Sequence, residues 1–276
     1  MATGVMSGCS ATGLRDVCEN PDLWAYVRTL KEHADGNVTN GRFLEGTQSQ
    51  SFSFDISSAV FYFGFCALIS HLLLAGVTAV IVHKCVSLKM VHTAGHAFYC
   101  TVGFVFFLGE ALLVRHSGIL VLWLGISNVD LLHSALGLLA FGIGVGGVGI
   151  KTLQKRERKR EDPNATVRHF RSNHGFSGIV GCALLLCCVL SGLPLYFYTN
   201  KSLQLVHRFC SLASFATLMT SQMFSYNTGF ARRQWKAHHV RLFKLFTFIA
   251  LITTMNYEFR RFAREIVSLI MRQVWH

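Results

Sequence analysis

Charge is scarce in this sequence: only 14% of its 276 residues are Asp, Glu, Lys or Arg, against about 25% in an ordinary soluble domain. Repeats are lacking, which excludes collagen-like and coiled-coil architectures. No C-x-x-C pair exists, so neither a zinc ribbon nor a covalently attached c-type haem is indicated. Residues 1–55 are polar and hold no apolar run of the kind that opens a secretory signal, so the first apolar span is expected to direct insertion. Apolar residues, by contrast, are plentiful. They make up 51% of the chain, and the mean hydropathy is +0.41. That excludes disorder, and the length excludes a disulfide-dense scaffold.

A helix needs about 20 apolar residues to cross a ~30 Å hydrocarbon core. Six segments approach this, at 58–82, 97–114, 129–150, 175–198, 203–226 and 240–257. The last is the weakest, because Arg241 and Lys244 occupy its first turns. The fold class expected is therefore an all-α membrane protein, a six-transmembrane-helix bundle. Its core covers 56–257, between a polar tail (1–55) and a basic amphipathic C-terminal segment (258–276). The run 118–126 is too short to cross and is expected at an interface or buried re-entrantly. The final stretch, EFRRFAREIVSLIMRQVWH, reads as an interfacial helix of its own, suited to lipid anchoring or partner docking.

The net charge of +12 sits in the connections between spans, with eight cations in 151–173 and five in 227–244. Cations placed this way are attracted to a membrane face and to anionic lipid, and nucleic acid is not an expected partner. Loops 1–2, 3–4 and 5–6 share about 15 basic residues, which by the positive-inside rule puts the termini outside. The sequons at Asn37 and Asn200 would share that side, and the one at Asn164 would not. Six of nine Cys fall within spans, where the thiol is usually a small hydrophobe.

Histidine is abundant, with 13 residues. An ionisable residue within a span is costly enough to suggest function. Four lie near the first turns of successive helices: His96, His133, His174 and His207. Consecutive helices run in opposite directions. His96 and His174 therefore belong to one leaflet, and His133 and His207 to the other. A histidine pair between facing helices is a ready bis-imidazole site. Two imidazoles can fill both axial positions of a haem iron and leave none for O₂, which suits electron transfer. Copper or zinc could use the same nitrogens, although two ligands without Cys or carboxylate make a poor zinc site. The plainer alternative is that each histidine is a hydrogen-bonded packing residue.

His71, in mid-span, is expected to bond a neighbouring carbonyl. Glu110, if buried, would need a partner such as Arg115 or His116. The stretch FGIGVGGVG at 141–149 contains G-x-G-x-x-G inside a span, so dinucleotide binding is not implied. Gly142, Gly146 and Gly149 share a face that would admit another helix or a flat macrocycle.

These residues resemble the cytochrome b561 family. The second span, GHAFYCTVGFVFFLGEALLV, resembles the family's second helix, with a ligand His at its start and A-L-L-V at its end. The segment HFRSNHGFSG at 169–178 resembles the family's H-F-x-S-x-H-G-x-x-G entry to its fourth helix. LLHSALGLLA and LVHRF place His133 and His207 at compatible spacing. The resemblance covers about 58–257. It implies two b-type haems between the central four helices, held by His96 with His174 and by His133 with His207. It further implies electron transfer from ascorbate or another small reductant to monodehydroascorbate or ferric iron. The protein would lie in an endomembrane, vesicle or plasma membrane, with a homodimer left open. Arg115, His169 and Arg171 are the substrate-binding residues implied. Two departures stand out. GISNVDLL carries Asp130 where ascorbate-using members have Lys, and His96 sits in Gly-His-Ala rather than Trp-His-Pro. The family also usually keeps its termini cytosolic. A non-enzymatic transporter or proton/metal-ion channel is the first alternative, and a lipid- or partner-binding scaffold the second.

Overall fold

The structure, a computed structural model, describes residues 49–274 except 92, 163, 165–170 and 199. Its elements are α1 (Ser49–Ser87), α2 (Thr93–Val114), α3 (Gly118–Leu124), α4 (Ile126–Glu161), α5 (Asn173–Leu195), α6 (Lys201–Ser225), α7 (Gly229–Gln234) and α8 (Ala237–Val274). No strand occurs among the described residues. Polar side chains open three of the helices by accepting an otherwise unpaired backbone N–H. Ser117 Oγ accepts from Leu120 N (3.3 Å), Ser172 Oγ from Gly175 N (3.1 Å) and Asn200 Oδ1 from Leu203 N (3.1 Å).

Long helices stand at all six positions where the sequence places spans. Four of these, among the described residues, are long and apolar enough to cross a membrane: Gly64–Ser87 of α1, then α2, α4 and α5. α6 and α8 are long but more polar. α1 begins at Ser49, inside the segment read as tail, and α8 runs unbroken through the junction at 257/258. No Gly or Pro interrupts α8, so the last span and the expected separate helix are one element.

The chain divides into two compact units. One holds Val114–His133 and the described residues up to Phe65, and the other holds Cys66–Leu113 and Ser134–His276. In the smaller unit, the short run expected at an interface is the two-turn α3. Trp123 on it is 84% exposed. Gly125, with φ +78°, turns the chain from α3 into α4 in a conformation that side chains disfavour.

The larger unit is built on the pairing of α5 with α6, with α8 against α6. Gly181 makes that first approach close, since a Cβ there would meet Leu218 Cγ at 2.6 Å. α2 and α4 also touch backbone to backbone, because a Cβ on Gly103 would lie 2.7 Å from Gly144 Cα. Gly103 falls in a π-helical stretch, Thr101–Phe107, in the middle of α2. The face of α4 used is thus Gly144 and Gly147. Gly142, Gly146 and Gly149, the face expected from sequence, have nothing within 4 Å. A glycine-rich helix offers several small faces, and the opposing Tyr99 and Phe104 select one of them.

Candidate functional site

His96 and His174, near the first turns of α2 and α5, face each other with ring centroids 6.0 Å apart and planes at 68°. His96 Nδ1 donates to Gly147 O (2.9 Å), and His174 Nδ1 lies 3.0 Å from Ser221 O. A carbonyl oxygen can only accept, so these bonds place the proton on Nδ1 and leave the Nε2 lone pair for a ligand. Ser221 Oγ reinforces the second contact by donating to His174 O (2.9 Å). The thiol of Cys100, one turn beyond His96, lies 3.4 Å from His96 Nδ1.

A cavity of about 650 Å³ opens beside the two rings. Phe104, Leu218 and Trp235 give it apolar walls, and Lys151, Lys155, Arg171 and Arg233 give it four cations. Lys151 Nζ is steadied by donating to Thr93 Oγ1 (2.7 Å). Such a pocket fits a haem. Two metal–imidazole bonds of about 2.0–2.1 Å, with roughly 1.1 Å from each nitrogen to its ring centre, need centroids about 6.3 Å apart. Apolar walls suit the macrocycle, and cations suit its two carboxylates.

The remaining sequence-derived residues are distributed as follows. His207 on α6 donates from Nδ1 to Cys188 O (2.9 Å). Gly192 leaves room for its ring, since a Cβ there would meet His207 Cε1 at 2.9 Å. His133 is half-buried on α4 in the smaller unit, whereas His207 belongs to the larger one. Arg115, also in the smaller unit, lies with its Nε 3.7 Å from Asp130 Oδ1. Arg171 lines the same cavity as His96 and His174, and His169 falls outside the described residues. Glu110 has a partner in His71, whose Nδ1 is 2.7 Å from its carboxylate. His71 accordingly pairs with that carboxylate rather than a carbonyl. Glu110 is half-buried on α2, and α1 supplies a polar partner for it.

Sequence reasoning missed Gly147 and Ser221 as acceptors, and Lys151, Lys155 and Arg233 as cavity cations. A signal existed for three of these. Residues 147, 151 and 155 recur every four positions and so share one face of α4. Arg233 and Ser221 arrive through tertiary packing alone.

Helices able to cross a bilayer, with two imidazoles facing each other at a basic, apolar-walled cavity, define a multi-pass membrane protein. The model of the eukaryotic cytochrome b561 family matches residues 95–232, and the chain belongs to that family. It is accordingly a membrane oxidoreductase of the electron-transport class that binds haem b. Comparison with curated proteins and with solved structures gave no match.

Proposed function

We propose that this chain passes single electrons across a membrane through two haem b groups. His96 and His174 hold one, and His133 and His207 hold the other. The observation that carries the reading is the 6.0 Å opposition of His96 and His174, with both Nδ1 atoms engaged by carbonyls. The second pair rests on the alternation of helix direction and on the family resemblance, with the Nδ1 bond of His207 as further support. All six long helices cross the membrane in this proposal, α6 and α8 with the help of their neighbours.

A haem iron, when bound, would supply one-electron chemistry, with these histidines as the residues that would hold it. The chain's own residues do the rest. Gly147 and Ser221 fix the ring orientations. Lys151, Lys155, Arg171 and Arg233 neutralise carboxylates and attract an anionic reductant or oxidant, such as ascorbate or monodehydroascorbate. Ferric iron is the other acceptor proposed. His169 and Arg171 serve the substrate at this end. Arg115 is the weaker anion site, because Asp130 offsets its charge.

A dithionite-reduced minus air-oxidised spectrum of the purified full-length protein, with haem counted per chain, tests the class. Low-spin b-type bands at about two haems per chain are expected. Replacing His174 by Ala should remove one spectral component and keep the other. Full occupancy of both in that variant would refute the ligand assignment. The alternative, a transporter or channel that moves protons or metal ions, is favoured only by the His71–Glu110 pair within the spans. It requires transport in vesicles and no chromophore.

A further inference from the structure

The corner between α7 and α8 stands at the edge of the His96/His174 cavity, since Arg233 and Trp235 both line it. Aromatic rings make that corner firm. Trp235 packs on Phe230 and Phe243, with ring centroids 6.2 and 5.6 Å apart, and Phe243 packs on Tyr226 at 6.0 Å. α8 then opens with two exposed histidines, His238 and His239. Successive residues of a helix point about 100° apart and do not ordinarily face each other. Here they do: the two Nε2 atoms are 3.1 Å apart. His238 lies three residues past Trp235, a stretch that spans at most about 11 Å. The pair is therefore a near neighbour of the cavity.

We propose that His238 and His239 form an open docking site for a transition-metal ion carried in an anionic chelate. Metal–imidazole bonds of about 2.0–2.1 Å that close on two nitrogens at this separation subtend about 95–100°. That is near the cis angle of an octahedral or square-planar centre such as Fe(III) or Cu(II), and narrower than the angle of a tetrahedral zinc site. The ring centroids are 4.0 Å apart, and aiming both lone pairs at one ion needs about 4.8 Å. Both side chains are exposed, so a small rotation of each supplies the difference. Among the described residues no group of three or more His, Cys, Asp or Glu could hold a metal, so the remaining positions belong to the ion's own ligands. Charge says what those ligands are. Residues 227–244 hold Arg232, Arg233, Lys236, Arg241 and Lys244 and no Asp or Glu. This field repels a bare dication and draws in a complex whose carboxylates outweigh the charge of the metal. The role of the site rests on the electron-transfer reading above. An ion held here is the acceptor: it gains one electron, which the small reductant at the other membrane face loses, and no atom is transferred.

Cu(II)–nitrilotriacetate is the binding probe, because it is anionic and keeps cis positions open. Added to the full-length protein in detergent, it should give the electron paramagnetic resonance signature of two imidazole nitrogens on copper. His238→Gln and His239→Gln should each lose one nitrogen and bind about a hundredfold more weakly, the gain that a second tethered ligand supplies. Lys236→Gln/Arg241→Gln should weaken the chelate severalfold and spare bare Cu(II). All four side chains are exposed, so these substitutions leave the packing intact. Equal binding by the parent and His238→Gln/His239→Gln, or a two-nitrogen signal retained in that variant, would overturn the site. The second measurement uses haem-loaded protein, reduced, freed of excess reductant and mixed with ferric citrate. His238→Gln/His239→Gln should slow its reoxidation about tenfold or more at low chelate, with the gap closing as chelate is raised. An unchanged rate with the copper signal lost would overturn the acceptor role. Absence of haem from the purified protein would instead overturn the proposed function, on which that role rests.

Discussion

His96 is held from two sides: its own helix α2 places the ring, and Gly147 of α4 sets the proton. Gly147 is small because Tyr99 and Cys100 press against it, with a Cβ there 2.8 Å from Tyr99 Cβ and 3.0 Å from Cys100 N. One contact is backbone, so a methyl cannot be absorbed by a rotamer change. Gly147→Ala should therefore cost about 1–3 kcal/mol of stability and weaken haem retention at the His96/His174 site, because the carbonyl that orients His96 must shift. Gly142→Ala, on the open face, should do neither. Thermal unfolding and haem content of the two variants decide it, and equal behaviour would mean that the α2–α4 approach is not what fixes His96. At this scale the approach of His96 to His174 is legible from the alternation of helix direction. The glycine face was not, because a run with glycine at 142, 144, 146, 147 and 149 satisfies the helical period in more than one way.

Among the elements, the turn from α1 to α2 carries backbone strain. Lys89 and Met90 both take left-handed conformations, with φ of 52° and 54°. The turn closes because Lys89 N donates to Val86 O (2.8 Å) and Met90 N to Cys85 O (3.0 Å), which satisfies carbonyls at the end of α1. Met90 O in turn sits where a Cβ on Gly95 would be 2.9 Å away, directly before His96. Neither strained residue is a glycine, and nothing in the sequence marks them. Lys89 is exposed, so Lys89→Gly should relieve strain without loss of packing and stabilise by about 0.5–1 kcal/mol, the left-handed penalty less the entropy of glycine. Denaturant or thermal midpoints in detergent would show it, and a lowered midpoint would mean that the lysine stem makes a contact worth more than the strain. Helix positions along the chain were legible because apolar runs are long. Helix ends were less so: α8 continues past 257 because its apolar stripe simply gives way to a face that pairs through Glu265.

At the scale of the whole molecule, the difference between six expected spans and four self-sufficient ones has a physical cause. α6 buries Arg208, Ser211, Ser214 and Ser221 against its neighbours, so its polar stripe faces protein instead of lipid. The same residues lower its hydropathy when it is read alone. Arg208 lies nearer the start of α6 than its middle, so its cost is below the about 2.5–3.5 kcal/mol of an Arg at a span centre, and that cost falls away only once Glu265 and α5 are in place. α5 has no charged residue between Asn173 and Leu195 and carries its small residues on the side facing α6. The two helices should therefore differ when each is placed alone in a host protein bearing glycosylation reporters on both flanks. The 173–195 segment should insert almost completely, and the 201–225 segment should insert in a minor fraction. Arg208→Leu should raise that fraction severalfold, in line with the removed penalty. Joining 173–225 as one hairpin should rescue the unaltered α6, because α5 supplies a surface for the serines. If 201–225 inserts alone as well as 173–195, its polar stripe faces lipid without cost. The dependence of α6 on α5 and α8 would then be wrong, and so would the reason given for the shortfall in span count.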